Sequence, residues 1–361
     1  MDNRNFTKEF ISLIETEIDA ISFPMILYDE QQNEGLIEFG IEIPVLNSRV
    51  VNTFRYLQSH KTLGPRINQW HDQKIVETIT KDDVLRVHSK RYVEDLFSDR
   101  LEQELIKTFE LIDEQGNYYR YNPDNATLPL TRLFDRTLTT VASTVQCCRT
   151  ALEKDFCFAF RGGMHHAQYN FGAGFCPIND IVIAIRKLQA ENLIQNTWVI
   201  DVDAHKGDGT AALTHGDDSI ITLSIHMARG WPLDGEKFDA AGNLNPSFIP
   251  SNVDIPMAPG EDRLYVSKLQ KGLHQLVDLS KPDLAVVISG ADPHEKDELP
   301  STADLKLTLN QLLDRDILVY NFLKERSIPR AYVMAGGYGE HCWEVYAQFL
   351  ERALMDNLDI D

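Results

Sequence analysis

Residues 197–210, "TWVIDVDAHKGDGT", decide how this chain is read. "TWVI" is a short, β-branched and aromatic apolar run, the signature of a buried strand. Directly after it come Asp201, Asp203, His205 and Asp208, four ionisable side chains at the edge of the interior. On a strand, side chains alternate, so Asp201, Asp203 and His205 are expected on one face, with Val202 and Ala204 on the other. Buried carboxylates without compensation cost several kcal/mol, and a divalent cation is the natural compensation.

The same pattern recurs around this stretch. "FCFAF" (156–160), "IITLSI" (220–225), "LAVVIS" (284–289) and "AYVMA" (331–335) are further short apolar runs. Helical segments separate most of them, among them 177–192 and 305–326. Alternation of this kind predicts an α/β fold, three-layered, with a mostly parallel central sheet covered by helices on both faces. Helices are also expected over 47–58 and 131–152, an irregular hairpin over 110–121, and a strand at "FPMILY" (23–28). Phe6, Phe10, Leu13, Ile14 and Ile18 recur at helical spacing and predict a helical extension over 1–22. The stretch 225–262 reads as a loop-rich insertion. No linker divides the text, and the expectation is one catalytic domain over 1–361.

In open parallel sheets, ligands bind beyond the carboxyl ends of the strands. Three more strand ends carry chemistry: "RGGMHHA" (161–167), "GADPHEKDEL" (290–299) and "GGYGEH" (336–341). Asp203 and His205, joined by Asp292, form a one-His, two-Asp donor set that leaves positions open, as catalytic metal sites do. That set suits Zn(II), and oxygen-rich sites also accept Fe(II), Mn(II) or Co(II). Beside a metal, His165 and His166 gain a role in moving protons. Asp201 and Asp208 are the acids left to orient them. Tyr338, between glycines, is placed to donate to a developing oxyanion. Phe175 in "GAGFC" and Trp231 in "RGWPLDG" suit the walls of a narrow apolar channel, with Gly174 and Leu299 beside them. His215, His226, His294, His341 and the five cysteines carry no second signal and read as structural or surface residues.

Composition bounds the rest. Asp plus Glu (55) exceed Lys plus Arg (35), giving a net charge of −20. That excludes the basic face of a general nucleic-acid binder and fits a cationic substrate drawn by steering. Five cysteines, odd in number and without a CxxC pair, read as reduced thiols. The polar, acid-containing start is unlike a signal peptide, and no apolar run approaches the roughly 18 residues of a membrane span. The expectation is a cytoplasmic protein with no membrane partner.

At these residues the sequence resembles the histone deacetylase superfamily, with its arginase/deacetylase fold. The likeness is carried by "RGGMHHAQYNFGAGFCPINDIVIAI", "DVDAHKGDGT", "TLSIH", "GADPHEKDEL" and "GGYG", in family order, and more loosely by "VLRVHSKRYVEDL" (84–96). The resemblance implies zinc on Asp203, His205 and Asp292, the pairs His165–Asp201 and His166–Asp208, and Tyr338 polarising the scissile carbonyl. It further implies a structural potassium ion near Asp201, Asp203, His205, Ser224 and Ile225. Phe175 and Trp231 match the aromatic pair of an acyl-lysine channel, and Asp124 the rim aspartate that grips substrate backbone. Lys206, where many members carry a second histidine, and Trp231, where phenylalanine is commoner, depart from the pattern. The text is closer to class IV and bacterial members. The implied substrate is an acylated lysine in a protein or peptide, or an acetylated polyamine or other small amide. A two-metal ureohydrolase of the same fold is disfavoured, because Gly207 stands where its third Asp is needed. A non-catalytic acyl-lysine binder should lack part of the relay, and no part is missing.

Overall fold

A computed structural model describes residues 25–31 and 35–360, so the expected helix over 1–22 lies outside the described residues. Eight strands are described: β1 (Ile26–Leu27), β2 (His71–Asp72), β3 (Phe156–Ala159), β4 (Thr197–Asp201), β5 (Ile220–Met227), β6 (Val253–Met257), β7 (Leu284–Ser289) and β8 (Arg330–Met334). They form one sheet in the order β2-β1-β3-β8-β7-β4-β5-β6, and every pairing is parallel.

Seven of the helices matter here: α1 (Ser48–Ser59), α2 (Arg132–Lys154), α3 (Asp180–Ala190), α4 (Asp208–Thr214), α5 (Tyr265–Leu279), α6 (Leu309–Lys324) and α7 (Cys342–Asn357). The two-residue period of the strands splits the core into two layers. Phe156, Phe158, Trp198, Ile200, Val287 and Tyr332 pack with Leu269 and Leu273 of α5, Val319 of α6 and Phe349 of α7. Their neighbours Cys157, Val199, Val286, Ile288 and Val333 face the other way, against Val145 of α2 and Ile181, Ala184 and Leu188 of α3. Strands covered on both faces are apolar almost throughout, which is why the runs of β3, β4, β7 and β8 show no polar alternation. On β5, Thr222, Ser224 and His226 alternate with Leu223, Ile225 and Met227.

The edge strand β6 lies inside the stretch read as a loop-rich insertion, and corrects that reading at its end. Its Asp254 and Pro256 broke the apolar pattern, and Pro is tolerated at a sheet edge. The irregular hairpin near 110–121 is present as a single antiparallel bridge between Ile112 and Tyr118, with Gly116 at φ 84°. Among the described residues no helix is long and apolar enough to cross a membrane.

The strand order positions the site. The chain jumps from β3 past two vacant places to β4, proceeds outward through β5 and β6, then returns to fill the gap with β7 and β8. The central four strands are therefore β3-β8-β7-β4, and theirs are the strand ends that carry His165/His166, Tyr338, Asp292 and the Asp201–Asp208 cluster.

Candidate active site

The ladder of β4 ends at Asp201, so simple alternation does not by itself carry the next residues. Two short-range bonds take over: Asp203 N donates to Asp201 Oδ1 (3.1 Å) and His205 N to Asp203 Oδ1 (3.0 Å). Each acid thereby shapes the backbone that presents the next donor. From β7, Asp292 enters and accepts from Ala204 N at 3.0 Å. Donor atoms of Asp203, His205 and Asp292 all lie within 4.8 Å of one another, and all three residues are buried. His205 Nδ1 faces both acids, 3.1 Å from Asp292 Oδ2 and 3.3 Å from Asp203 Oδ1, while its Nε2 lies 3.1 Å from Ser301 Oγ.

Two glycines make this convergence possible. A Cβ on Gly290 or on Gly336 would come within 2.5 Å of Asp203 Oδ2 and within 2.7 Å of an Asp292 carboxylate oxygen. Gly336 N instead donates to Asp203 Oδ2 at 2.9 Å.

The end of β3 turns through Gly162 and Gly163, both at positive φ (108° and 76°). Asp180, at the start of α3, accepts from Gly163 N (3.1 Å) and Met164 N (2.6 Å) and so sets the path into the two histidines. His165 Nδ1 lies 2.6 Å from Asp201 Oδ2, and His166 Nδ1 lies 2.7 Å from Asp208 Oδ1. The two rings sit 3.9 Å apart. The far oxygen of Asp208 accepts from Gln168 Nε2 (2.8 Å) and Ser247 Oγ (2.7 Å).

Tyr338 follows Gly337 and precedes Gly339, both at positive φ, and its amide donates to Asp297 Oδ2 at 2.8 Å. Its ring meets Phe175 edge to face, with centroids 6.5 Å apart. Phe175 itself holds φ 66°, an uncommon backbone state for a non-glycine residue, and stacks on Phe109. The Trp231 indole packs edge-on against His166 at 4.4 Å, close over Gly174, where any side chain would collide. A cavity of about 190 Å³ is lined by Phe175, Gly174, His165, His166, Asp203, His205 and Tyr338, and reaches inward to Arg49.

Residues 44–353 match the histone deacetylase domain. The chain belongs to the histone deacetylase family. It is a hydrolase of the deacetylase type. Among similar proteins, an uncharacterized protein of Picosynechococcus sp. is 33% identical over 224 residues, covering 61% of this chain and 69% of its own. The acetoin utilization protein AcuC of Staphylococcus aureus is 26% identical over 287 residues (78% and 69%). A probable deacetylase of Archaeoglobus fulgidus is 27% identical over 226 residues (62% and 57%).

Metal dependence is general in this family, and the chemistry of the donor set here fits it. Two buried carboxylates meet one imidazole, leaving a surplus of negative charge in a dry place. Burial pulls the His205 imidazole down, but Asp203 and Asp292 outweigh it and hold it up at about 10. Burial and then Asp203 push Asp292 up to about 7. The cluster thus draws a positive charge to itself, which a divalent cation fits.

The remaining anticipated residues fall less close. Leu299 is buried beside Asp297, whose Oδ1 accepts its amide at 3.0 Å, outside the cavity wall. Asp124 is exposed on the turn Pro123–Asn125 and does not line the cavity. Ser224 pairs in register with Asp201, and Ile225 follows it on β5, both buried. Sequence reasoning missed Asp180, Gln168, Ser247 and Ser301. Asp180 alone had a local signal, since "ND" before "IVIAI" marks a helix start. It also set aside Cys176, which lines the cavity wall and donates from Sγ to Gly174 O.

Proposed function

We propose that the chain hydrolyses N-acyl groups, acetyl above all, from lysine side chains, using zinc at Asp203, His205 and Asp292. One observation carries this reading: Asp203 and His205, two imidazoles and a phenol line one cavity, and Asp292 has a donor atom within 4.8 Å of both ligands. When bound, a divalent cation supplies Lewis acidity to a carbonyl and lowers the pKa of water from 15.7 to about 7.

The chain's own residues then divide the work. Asp201 and Asp208 hold the Nδ1 atoms of His165 and His166, so each Nε2 is free to face the reacting atoms. The imidazole pair takes the proton of the attacking water and returns one to the departing amine. The Tyr338 hydroxyl, pushed well above its ordinary pKa by burial, stays protonated and donates to the tetrahedral oxyanion. Phe175, Gly174 and Trp231 flank the extended acyl-lysine chain, with Leu299 and the exposed Asp124 further out. A potassium ion at Asp201, Asp203, His205, Ser224 and Ile225 would stiffen the metal-bearing strand end. The five cysteines are unpaired and buried, which fits a reducing, cytoplasmic setting.

An activity panel tests the substrate. Purified protein is offered acetyl-lysine peptides, long-chain acyl-lysine peptides and acetylpolyamines, each with and without chelator. Chelator-sensitive turnover highest on acetyl-lysine peptides supports the proposal; preference for acetylpolyamines would move it to small amides. No turnover on any amide, with binding retained, would replace it by a non-catalytic binder.

A further inference from the structure

Helix α6 carries a fully buried arginine, flanked by two aspartates, in the stretch "LLDRDILVY". Its guanidinium reaches beyond its own helix. Arg315 Nη1 donates to Val202 O at 3.1 Å and to Gly290 O at 2.8 Å. Nε donates to Asp316 Oδ1 at 2.8 Å, and that carboxylate neutralises the charge. The Tyr265 hydroxyl approaches the same Val202 carbonyl at 3.5 Å.

The location of the two carbonyls gives the contact its meaning. Val202 immediately precedes Asp203, and Gly290 stands two residues before Asp292. Gly290 is also the glycine whose missing Cβ makes room for Asp203 Oδ2. Both carbonyls lie just past the ends of adjacent strands, where the ladder stops and backbone acceptors need other donors. One planar, fixed cation therefore ties the backbone of one ligand-bearing segment to the other from behind. A hydrophobic side chain could fill this volume and a lysine could supply the charge, but neither presents the guanidinium's fixed fork of N–H donors.

We infer that Arg315 is a positioning residue for the metal site, cross-bracing the Val202–Asp203 and Gly290–Asp292 segments so that their carboxylates meet at one point. The inference rests on the metal reading given above. It also separates Arg315 from an ordinary core ion pair, which apolar residues of similar volume can often replace without loss of stability.

Cobalt(II) reports both occupancy and ligand geometry, through titration and through its visible absorption bands. The wild-type chain, stripped of metal, is titrated with Co(II) beside Arg315→Lys and the double variant Arg315→Met/Asp316→Leu, which leaves no lone buried charge. The expected result is a folded double variant whose Co(II) affinity is about 10–100-fold weaker, with altered band intensities, since partners behind metal ligands typically matter on that scale. Arg315→Lys should fall between the two. A double variant with wild-type affinity and spectrum would overturn the brace. Should the double variant not fold, Arg315→Lys decides, and wild-type binding by it overturns the brace equally. A wild-type chain that takes up no cobalt would remove the metal reading itself, and the brace with it.

Discussion

His165 and His166 are neighbours in sequence, both fully buried, and each holds an aspartate at its Nδ1 by nearly the same distance. Their surroundings nevertheless drive them apart. Burial pulls His165 down, but Asp201 and then Asp203, 3.7 Å from its Nε2, prevail and hold it up at about 9. For His166, burial comes first, the neighbouring His165 adds to it, and Asp208 cannot offset them, so it falls to about 4. Their partners differ as well. Asp208 is held below the usual carboxylate range, despite burial, by His166 and Ser247 among others, whereas burial raises Asp201. The lesson is that a pair motif does not fix a charge; the next carboxylate and the next imidazole do. Two titratable groups pushed in opposite directions are the usual mark of divided acid and base duties.

The comparison can be broken at several points. Replacing His166 by Ala removes the neutral imidazole, and kcat should fall about 10²–10⁴-fold with the metal retained. His165→Ala should cost less; equal losses in steady-state assays would erase the distinction drawn here. Tyr338→Phe keeps the ring against Phe175 but removes the donor, and a loss of about 10²–10³ in kcat with little change in KM is expected. Near-normal turnover would strip Tyr338 of its role.

Smaller changes sharpen the same contrast. Ser247→Ala deletes one of the two donors on the far oxygen of Asp208, and among the described residues no such hydroxyl bonds Asp201. A net hydrogen bond to a charged group is worth about 1.5–3 kcal/mol, but Gln168 remains, so we expect only a several-fold fall in kcat and a displaced pH profile. An unmoved profile would mean that Ser247 merely anchors its loop.

Behind the His166 pair the expected effect is on stability and not on turnover. His88 is buried, with Nδ1 2.8 Å from Gln168 O and Nε2 accepting from Asn179 N at 3.0 Å. Burial lowers its pKa from 6.5 to about 4 despite the bond to the Gln168 carbonyl. The unfolded chain therefore binds a proton that the folded chain refuses, and stability should drain away as pH falls from about 6.5 to about 4, by about 3 kcal/mol for this group. Urea unfolding of the chelated protein across that range should show a shallower slope in His88→Asn; an unchanged slope would remove His88 from the account.

Much of this was legible in the sequence for a physical reason. In a parallel sheet, each reactive group follows its strand within a few residues, so Asp203, His205, Asp292 and Tyr338 stand in the text beside the apolar runs that place them. What stayed hidden arrives from afar. Ser247 lies 39 residues from Asp208, and nothing local marks it. Nothing local marks Arg315 either, because only the fold reveals that its guanidinium ends behind two strand ends. Strand β6 was obscured by the Pro and Asp that an edge position tolerates.

The central claim is that a single divalent ion sits among Asp203, His205 and Asp292 and is required for turnover. Elemental analysis of the purified chain, paired with an acetyl-lysine peptide assay before and after chelation, tests it most directly. One transition-metal ion per chain is predicted, with ion and activity lost together and both restored by zinc. Two transition-metal ions per chain, or turnover that survives complete removal of the metal, would contradict it.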